Sequence, residues 1–155
     1  RYLQLDSIKN TKDVYLKPID ITDSLKLSNI NIVIEAYYND YPKYRYPLIT
    51  EKLWRNIFIK KPFILVGQKN TLKYFNNLGY KTFHPYIDES YDNLEDDYRA
   101  KAAVVQAIKL INFTNSQWIS FFNNIAPILE HNISNYSSRV KDIHKLVELL
   151  LDNKL

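Results

Sequence analysis

The chain has 155 residues, which is enough for one domain with a packed core and rarely enough for two. It contains no cysteine, which excludes a disulfide framework and a thiolate-bound metal site. Its formal net charge of +4 favours an anionic partner, and the lack of any run of about 18 apolar residues excludes a membrane-spanning helix. Methionine is also absent, so Arg1 is not an initiator residue and we expect a processed or truncated chain.

The N-terminal part of the chain predicts one strand and one helix. Residues 1–29 mix short apolar pairs with turn-forming residues, which indicates edge structure or a lead-in to the core. Residues 29–38 (NINIVIEAYY) contain a β-branched run that is typical of a buried strand. After a Tyr-rich loop, Thr50 can cap a helix with its hydroxyl, and the apolar spacing extends that helix over residues 51–60, before Pro62 ends it.

The central part predicts two more strands and a second helix. Residues 62–67 (PFILVG) form an apolar run of strand length, as expected of a central parallel strand. Asn70 caps the second helix, and Gly79 follows it at a position that favours a left-handed residue. Residues 80–83 then predict a third strand. This order predicts an α/β fold with Rossmann-like βαβ units in a parallel sheet, which is half of a doubly wound fold.

The C-terminal third is predicted to be helical. After an acidic stretch at residues 88–97, apolar residues at helical spacing predict a long amphipathic helix. Thr114 and Gln117 match a capping box that opens another helix, which Pro127 is expected to kink or divide. The last helix carries an apolar stripe made of Val140, Ile143, Leu146, Val147, Leu150 and Leu151.

These elements predict a single α/β domain over residues 1–155. Its βαβαβ core spans residues 30–96, and the C-terminal helices span residues 97–155. The chain has two glycines, which is too few for a Gly-rich phosphate loop, and this disfavours ATPase and NAD chemistry.

The start of the first helix is the candidate binding site. In open α/β sheets a ligand binds beyond the carboxyl ends of the strands, where helix N-termini present free N–H groups to anions. Thr50, Glu51 and Lys52 occupy such a position, and Lys52 and Arg55 can point to the same side and receive a diphosphate. Glu51 can accept hydrogen bonds from a ribose diol. The competing interpretation, which spacing alone favours, is a surface ion pair of Glu51 with Arg55 beside a solvated Lys52.

Six short segments of the chain, taken in order, resemble a known protein family. They are LITEKLWRN at 48–56, KPFILVG at 61–67, TLKY at 71–74, LGYKTF at 78–83, IDESYD at 87–92 and EHN at 130–132. The first two resemble the segment with the Thr-Glu-Lys triplet in fucosyltransferase-type glycosyltransferases and in related bacteriophage and large-virus proteins. The other four are similar to the viral relatives. The resemblance as a whole, including the predicted first strand, spans roughly residues 31–132.

The resemblance implies the donor-binding, C-terminal half of a GT-B fold, in which Glu51 and Lys52 contact the ribose and phosphate of a nucleotide-diphosphate sugar. Thr50, Arg55 and Gly67 belong to the same implied substrate-binding segment. A GT-B enzyme needs a second, N-terminal Rossmann-like half that supplies the acceptor site and usually the catalytic base, and 155 residues cannot hold both. The resemblance therefore implies a catalytically incomplete domain, without cofactor, that acts in the cytoplasm, or in the host cytoplasm if it is viral.

Asp88 and Glu89 follow the predicted third strand and are possible sugar contacts, although a role in a turn and a helix cap is the favoured interpretation. No Asp-x-Asp motif is present, and the three histidines lack the spacing of a zinc site, so we predict no metal. The histidines are His84, His131 and His144.

The loop at residues 37–46 places five tyrosines among Lys43 and Arg45. Such interleaving is typical of platforms for single-stranded nucleic acid, and the same rings can stack on a nucleobase or a sugar, with Tyr46 as a possible sugar contact. A loop that only covers the sheet edge is the simpler interpretation. The alternative function is therefore a non-enzymatic viral structural or nucleic-acid-binding module on an α/β scaffold.

Overall fold

The computed structural model describes residues 27–37 and 46–152. The predicted lead-in up to residue 26 and most of the Tyr-rich loop lie outside these residues. The described elements are strand β1 (Asn31–Ile34), helix α1 (Glu51–Phe58), strand β2 (Phe63–Val66), helix α2 (Thr71–Asn77), a 3-10 helix (Ser90–Asn93), helix α3 (Asp96–Ile111) and helix α4 (Asn115–Asp152).

The two strands are adjacent and parallel, with Asn31 opposite Phe63 and Ile34 opposite Val66. All four residues of β2 are buried, because its continuous apolar run is covered on both faces. Buried and exposed residues alternate along β1, so only one face of this strand is covered. The described residues thus form a mixed α/β fold that is mainly helical, with a two-stranded parallel sheet.

Residues 80–83 do not form the predicted third strand. The buried side chain of Asn132, on α4, donates to the Lys81 carbonyl and accepts from the Lys81 N–H, both at 2.8 Å. The Glu89 carboxylate accepts from the N–H of Phe83 at 2.8 Å. The prediction was wrong because side chains from distant elements satisfy the backbone groups that a neighbouring strand would have paired.

Helix α1 begins as predicted, because the Thr50 hydroxyl accepts a hydrogen bond from the Lys52 N–H at 3.3 Å. Gly79 is also confirmed in a left-handed conformation after α2, with a φ of 84°. Asn70 occupies the predicted N-cap position of α2, but its side chain makes no cap hydrogen bond. The carboxylate of Asp92 accepts from the first N–H groups of α2 instead.

Helix α4 begins with the predicted capping box, in which Thr114 and Gln117 exchange hydrogen bonds of 2.8 and 3.3 Å. Pro127 lies inside this helix and does not divide it. A proline removes one intrahelical hydrogen bond, and buried residues on both sides of it, Ile125 and Asn132, keep the two halves on one core. None of the described helices combines the length and apolar character needed to cross a bilayer.

The core lies between the sheet and the helices. Phe63 of β2 meets the rings of Phe75 and Phe83 edge-on, with centroids 6.0 and 5.0 Å away. On α1, Leu53 and Ile57 point into this cluster at helical spacing. Their burial holds α1 against the sheet, and the candidate site lies on the flank of α1 beside β1.

Candidate functional site

The first turn of α1 is tied to the end of β1 by Glu35. The Glu35 side chain is only 2% exposed, and its carboxylate accepts from the Thr50 N–H at 3.1 Å and from the Thr50 hydroxyl at 2.5 Å. Thr50 therefore positions the turn, and its own hydrogen-bonding groups are used within the protein. One signal of this contact was visible beforehand, because a lone acidic residue directly follows a β-branched run.

Lys52 and Arg55 lie together on a cavity of about 280 Å³ beside β1. The Lys52 ammonium donates to the carbonyl of Ile34, the last residue of β1, at 3.0 Å. An ammonium has three donors, so two remain for a ligand. Arg55 is exposed, which leaves its planar guanidinium available to a bidentate anion.

Two buried asparagines form the floor of this cavity. The Asn56 amide donates to the Lys52 carbonyl at 2.8 Å and accepts from the Asn31 amide at 2.6 Å. This chain of hydrogen bonds joins α1 to the start of β1. The two cations are therefore held on a braced turn, which reduces the ordering that an anion must impose on binding.

Glu51 does not line the cavity of Lys52 and Arg55. It lines a separate groove between α1 and α4, together with Trp54, Leu78, Tyr80, Tyr136, Arg139, Val140 and Ile143. No ion pair joins Glu51 to Arg55 among the described residues, so the structure does not show the competing surface pair. Consecutive helical residues point about 100° apart, which puts Glu51 and Lys52 on two sides of one turn.

The groove has a volume of about 490 Å³ and aromatic walls. The Trp54 ring lies 5.2 Å from the Tyr80 ring and 6.0 Å from the Tyr136 ring, measured between centroids. The Arg139 guanidinium lies 5.8 Å from the Tyr80 centroid and donates to the Leu78 carbonyl. Burial raises the pKa of the Tyr80 hydroxyl, and the charge of Arg139 partly opposes this rise. Tyr80 is therefore neutral at physiological pH.

Gly67 ends β2, away from both of these cavities. Its carbonyl accepts from the Nε of the buried Arg99 at 2.8 Å. A Cβ at Gly67 would lie 2.9 Å from the hydroxyl oxygen of Thr71, so the glycine permits close packing of β2 on α2. The structure does not bring Gly67 together with Lys52 and Arg55.

Asp88 and Glu89 line a third cavity, of about 620 Å³, between α2, the 3-10 helix and α4. Hydrogen bonds from Ser90 hold the pKa of the exposed Asp88 carboxyl below its usual value. Burial raises the pKa of the Glu89 carboxyl, despite the hydrogen bonds that it accepts. Burial likewise raises the pKa of Asp92, which caps α2. Asp88 accepts a hydrogen bond from the Ser90 N–H at 3.1 Å, as its turn role predicts. Glu89 precedes the 3-10 helix without a side-chain cap hydrogen bond, and sugar contact by Asp88 or Glu89 stays a prediction.

The cations of this cavity come from α2 and from the chain that follows it. Lys73 and Lys81 line it with His84, and neither lysine forms an ion pair with a described residue. Positive and negative groups therefore face each other across the cavity, which gives it no clear preference for ligands of one charge.

Tyr46 is exposed and stacks on Tyr74, with ring centroids 5.5 Å apart and planes inclined by 20°. It lies near a shallow cavity of about 320 Å³ that is lined by Pro47, Lys69, Asn70, Lys73, Tyr74 and Asn77. Tyr46 is therefore not part of the Lys52 and Arg55 cavity. Its predicted sugar contact is not tested by this arrangement.

The Glu130-His131-Asn132 segment makes structural contacts. Glu130 pairs with Lys60 at 2.7 Å, and a ring nitrogen of His131 lies 2.8 Å from the Gly79 carbonyl. Within residues 27–37 and 46–152, no three His, Asp or Glu side chains are close enough to hold a metal ion together.

Comparison of the chain with protein-family models, with curated proteins and with solved structures finds no match. The resemblance to fucosyltransferase-type glycosyltransferases therefore stays a prediction that rests on the six segments and on the geometry of the site.

Proposed function

We propose that this chain binds a nucleotide-diphosphate sugar as the donor-binding part of a glycosyltransferase-like protein. The observation that carries the proposal is the shared position of Lys52 and Arg55, which lie on one cavity beside the exposed first turn of α1. Lys52 lies in the first turn of α1 and adds its charge to the positive end of the helix dipole, which attracts phosphate oxygens. Arg55, three residues further along, adds a second cation on the same cavity.

The parallel sheet supports this assignment. Helix α1 connects two adjacent parallel strands, so it begins near the carboxyl end of β1, the edge at which α/β sheets bind ligands. The contact between Glu35 and Thr50 fixes this junction. A diphosphate at the turn would take donors from Lys52 and Arg55 without requiring a change in the strands.

Transfer of the sugar would need groups from elsewhere. Glu35 is the carboxylate tied to this turn, and it is buried and already accepts two hydrogen bonds from Thr50. It is therefore unsuited to be the base that activates an acceptor hydroxyl. We propose that a second Rossmann-like half supplies the acceptor site and the base.

A thermal-shift panel tests the proposal. Inorganic pyrophosphate and the diphosphates and diphosphate sugars of adenosine, guanosine, cytidine and uridine are added to the wild type and to Lys52→Ala, Arg55→Ala and the double variant. A ligand at 100 times its dissociation constant stabilises the fold by about 2.7 kcal/mol. We expect the double variant to lose the shift and each single variant to lose most of it.

Lys101→Ala is the matched control, because Lys101 is an exposed lysine on α3 that takes no part in the cavity. Equal shifts in the double variant and the control would refute the proposal. The alternative, a nucleic-acid-binding module, requires that single-stranded oligonucleotides bind with an affinity that falls steeply with salt while free nucleotides have no effect.

A further inference from the structure

We infer that the groove between α1 and α4 is a nucleoside subsite, in which the base packs against Trp54 and Tyr136 and the ribose reaches Glu51. The inference rests on the proposed function, because it assigns the base and the ribose of the same donor. It concerns a surface separate from the Lys52 and Arg55 cavity, so the two can be tested separately.

The composition of the groove fits a flat heteroaromatic ring. Binding sites for small molecules are mostly apolar cavities with a few polar groups that orient the ligand. This groove has a volume of about 490 Å³, three aromatic side chains and two charged groups, Glu51 and Arg139. Every nucleobase has a flat face that stacks on aromatic side chains, and the groove has the aromatic walls that such stacking needs.

The direction of the groove leads to the first turn of α1. Glu130 of α4 pairs with Lys60, just after the C-terminal end of α1, and Tyr136 lies beside Trp54 in the middle of α1. Further along α4, Val140 and Ile143 line the groove with Glu51. Helices α1 and α4 are therefore antiparallel, and the groove runs from the aromatic rings to the N-terminal end of α1.

The polar groups lie where a nucleoside diphosphate would need them. Glu51 is exposed at the mouth of the groove, and a carboxylate there accepts hydrogen bonds from both hydroxyls of a ribose diol. The next residue, Lys52, lies on the other side of the same turn. A base in the groove and a ribose at Glu51 would therefore direct the diphosphate across the N-terminus of α1 towards Lys52 and Arg55.

Arg139 is an exposed residue that lines the groove. Its position is fixed by the Tyr80 ring and by a hydrogen bond to the Leu78 carbonyl. A guanidinium has five N–H donors, so others remain for the acceptor atoms of a base. Because Arg139 also holds the end of α2, it is left unchanged in the test.

The test separates base from phosphate by using probes that have only one of them. Adenosine, guanosine, cytidine and uridine are titrated while the fluorescence of Trp54 is recorded in a Trp118→Phe background, which removes the other of the two tryptophans. Inorganic pyrophosphate is titrated separately by calorimetry. We expect at least one nucleoside to quench the fluorescence of Trp54. We expect Tyr136→Leu to lower the affinity for that nucleoside by about tenfold.

Glu51→Gln is the second variant, and because Glu51 is exposed it does not put folding at risk. We expect it to weaken the binding of nucleosides and to leave the binding of pyrophosphate unchanged. Lys52→Ala should weaken the binding of pyrophosphate and leave the binding of nucleosides unchanged. Tyr98→Leu is the matched control, since Tyr98 is an exposed tyrosine on α3 and its loss should change neither titration.

Three results would decide the inference. If no nucleoside quenches Trp54, or if quenching survives both Tyr136→Leu and Glu51→Gln, the nucleoside subsite is wrong. Pyrophosphate binding that still depends on Lys52 would then leave the proposed function standing. Nucleoside binding that depends on Tyr136, together with pyrophosphate binding that ignores Lys52 and Arg55, would support the subsite and refute the diphosphate assignment.

Discussion

Replacing Asn132 by alanine is expected to destabilise the fold by about 2 kcal/mol. The Asn132 side chain is 1% exposed and makes two hydrogen bonds of 2.8 Å, one with the Lys81 N–H and one with the Lys81 carbonyl. A hydrogen bond contributes about 0.5–1.5 kcal/mol net, so two contribute about 1–3 kcal/mol. We expect a loss below the upper end of this range because Lys81 is exposed, so water can replace part of the lost hydrogen bonding.

Urea unfolding followed by circular dichroism measures this change, which should appear as a lower midpoint with an unchanged slope. Asn135→Ala is the matched control, because the Asn135 amide makes a single, long hydrogen bond of 3.4 Å to the Leu78 carbonyl. We expect the control to cost less than about 1 kcal/mol. If the two variants lose the same stability, the segment around Lys81 is held by its buried apolar neighbours, and our reason for the missing third strand is refuted.

Two carboxylates near α2 give further predictions. Asp92→Ala should cost about 1–2 kcal/mol in urea unfolding, because it removes the cap from the N–H groups of Leu72 and Lys73, and a loss below about 0.5 kcal/mol would refute the cap. Burial raises the pKa of Glu89, so the contribution of Glu89 to stability is complete below its unfolded pKa of about 4.3 and is lost as the pH rises through its higher folded pKa. Glu89→Gln keeps an acceptor for the Phe83 N–H and should fall less in stability than the wild type over this window. Asp92 titrates in both proteins and cancels from the comparison, so an identical pH dependence would refute the shift.

Local patterns predicted the elements whose contacts are local. The Thr50 cap and the left-handed Gly79 follow from residues within one turn, and both are confirmed. The apolar run of β2 predicted a strand covered on both faces, which its burial confirms. Spacing also predicted that Lys52 and Arg55 share one side of α1, because residues three apart on a helix are neighbours.

Local patterns failed where a distant residue decides the outcome. The segment after Gly79 was predicted to be a strand, and Asn132 pairs with it from 51 positions further along the chain. The aromatic groove was missed for the same reason, since Tyr136 and Arg139 reach α1 only through the packing of α4. That Glu51 and Lys52 point in different directions could have been predicted from the helical angle of about 100° per residue.

The contacts of α4 decide whether its polar motif, Glu130-His131-Asn132, supports an argument about function. Glu130, His131 and Asn132 are consecutive, so their side chains point in three directions about 100° apart. Glu130 pairs with Lys60 after α1, and the other two hold the chain after α2 at the Gly79 carbonyl and at Lys81. One turn of α4 thus fixes the C-terminal ends of both short helices, and every polar group of the motif has a structural use. The proposed chemistry therefore draws no support from this motif and rests on α1 alone.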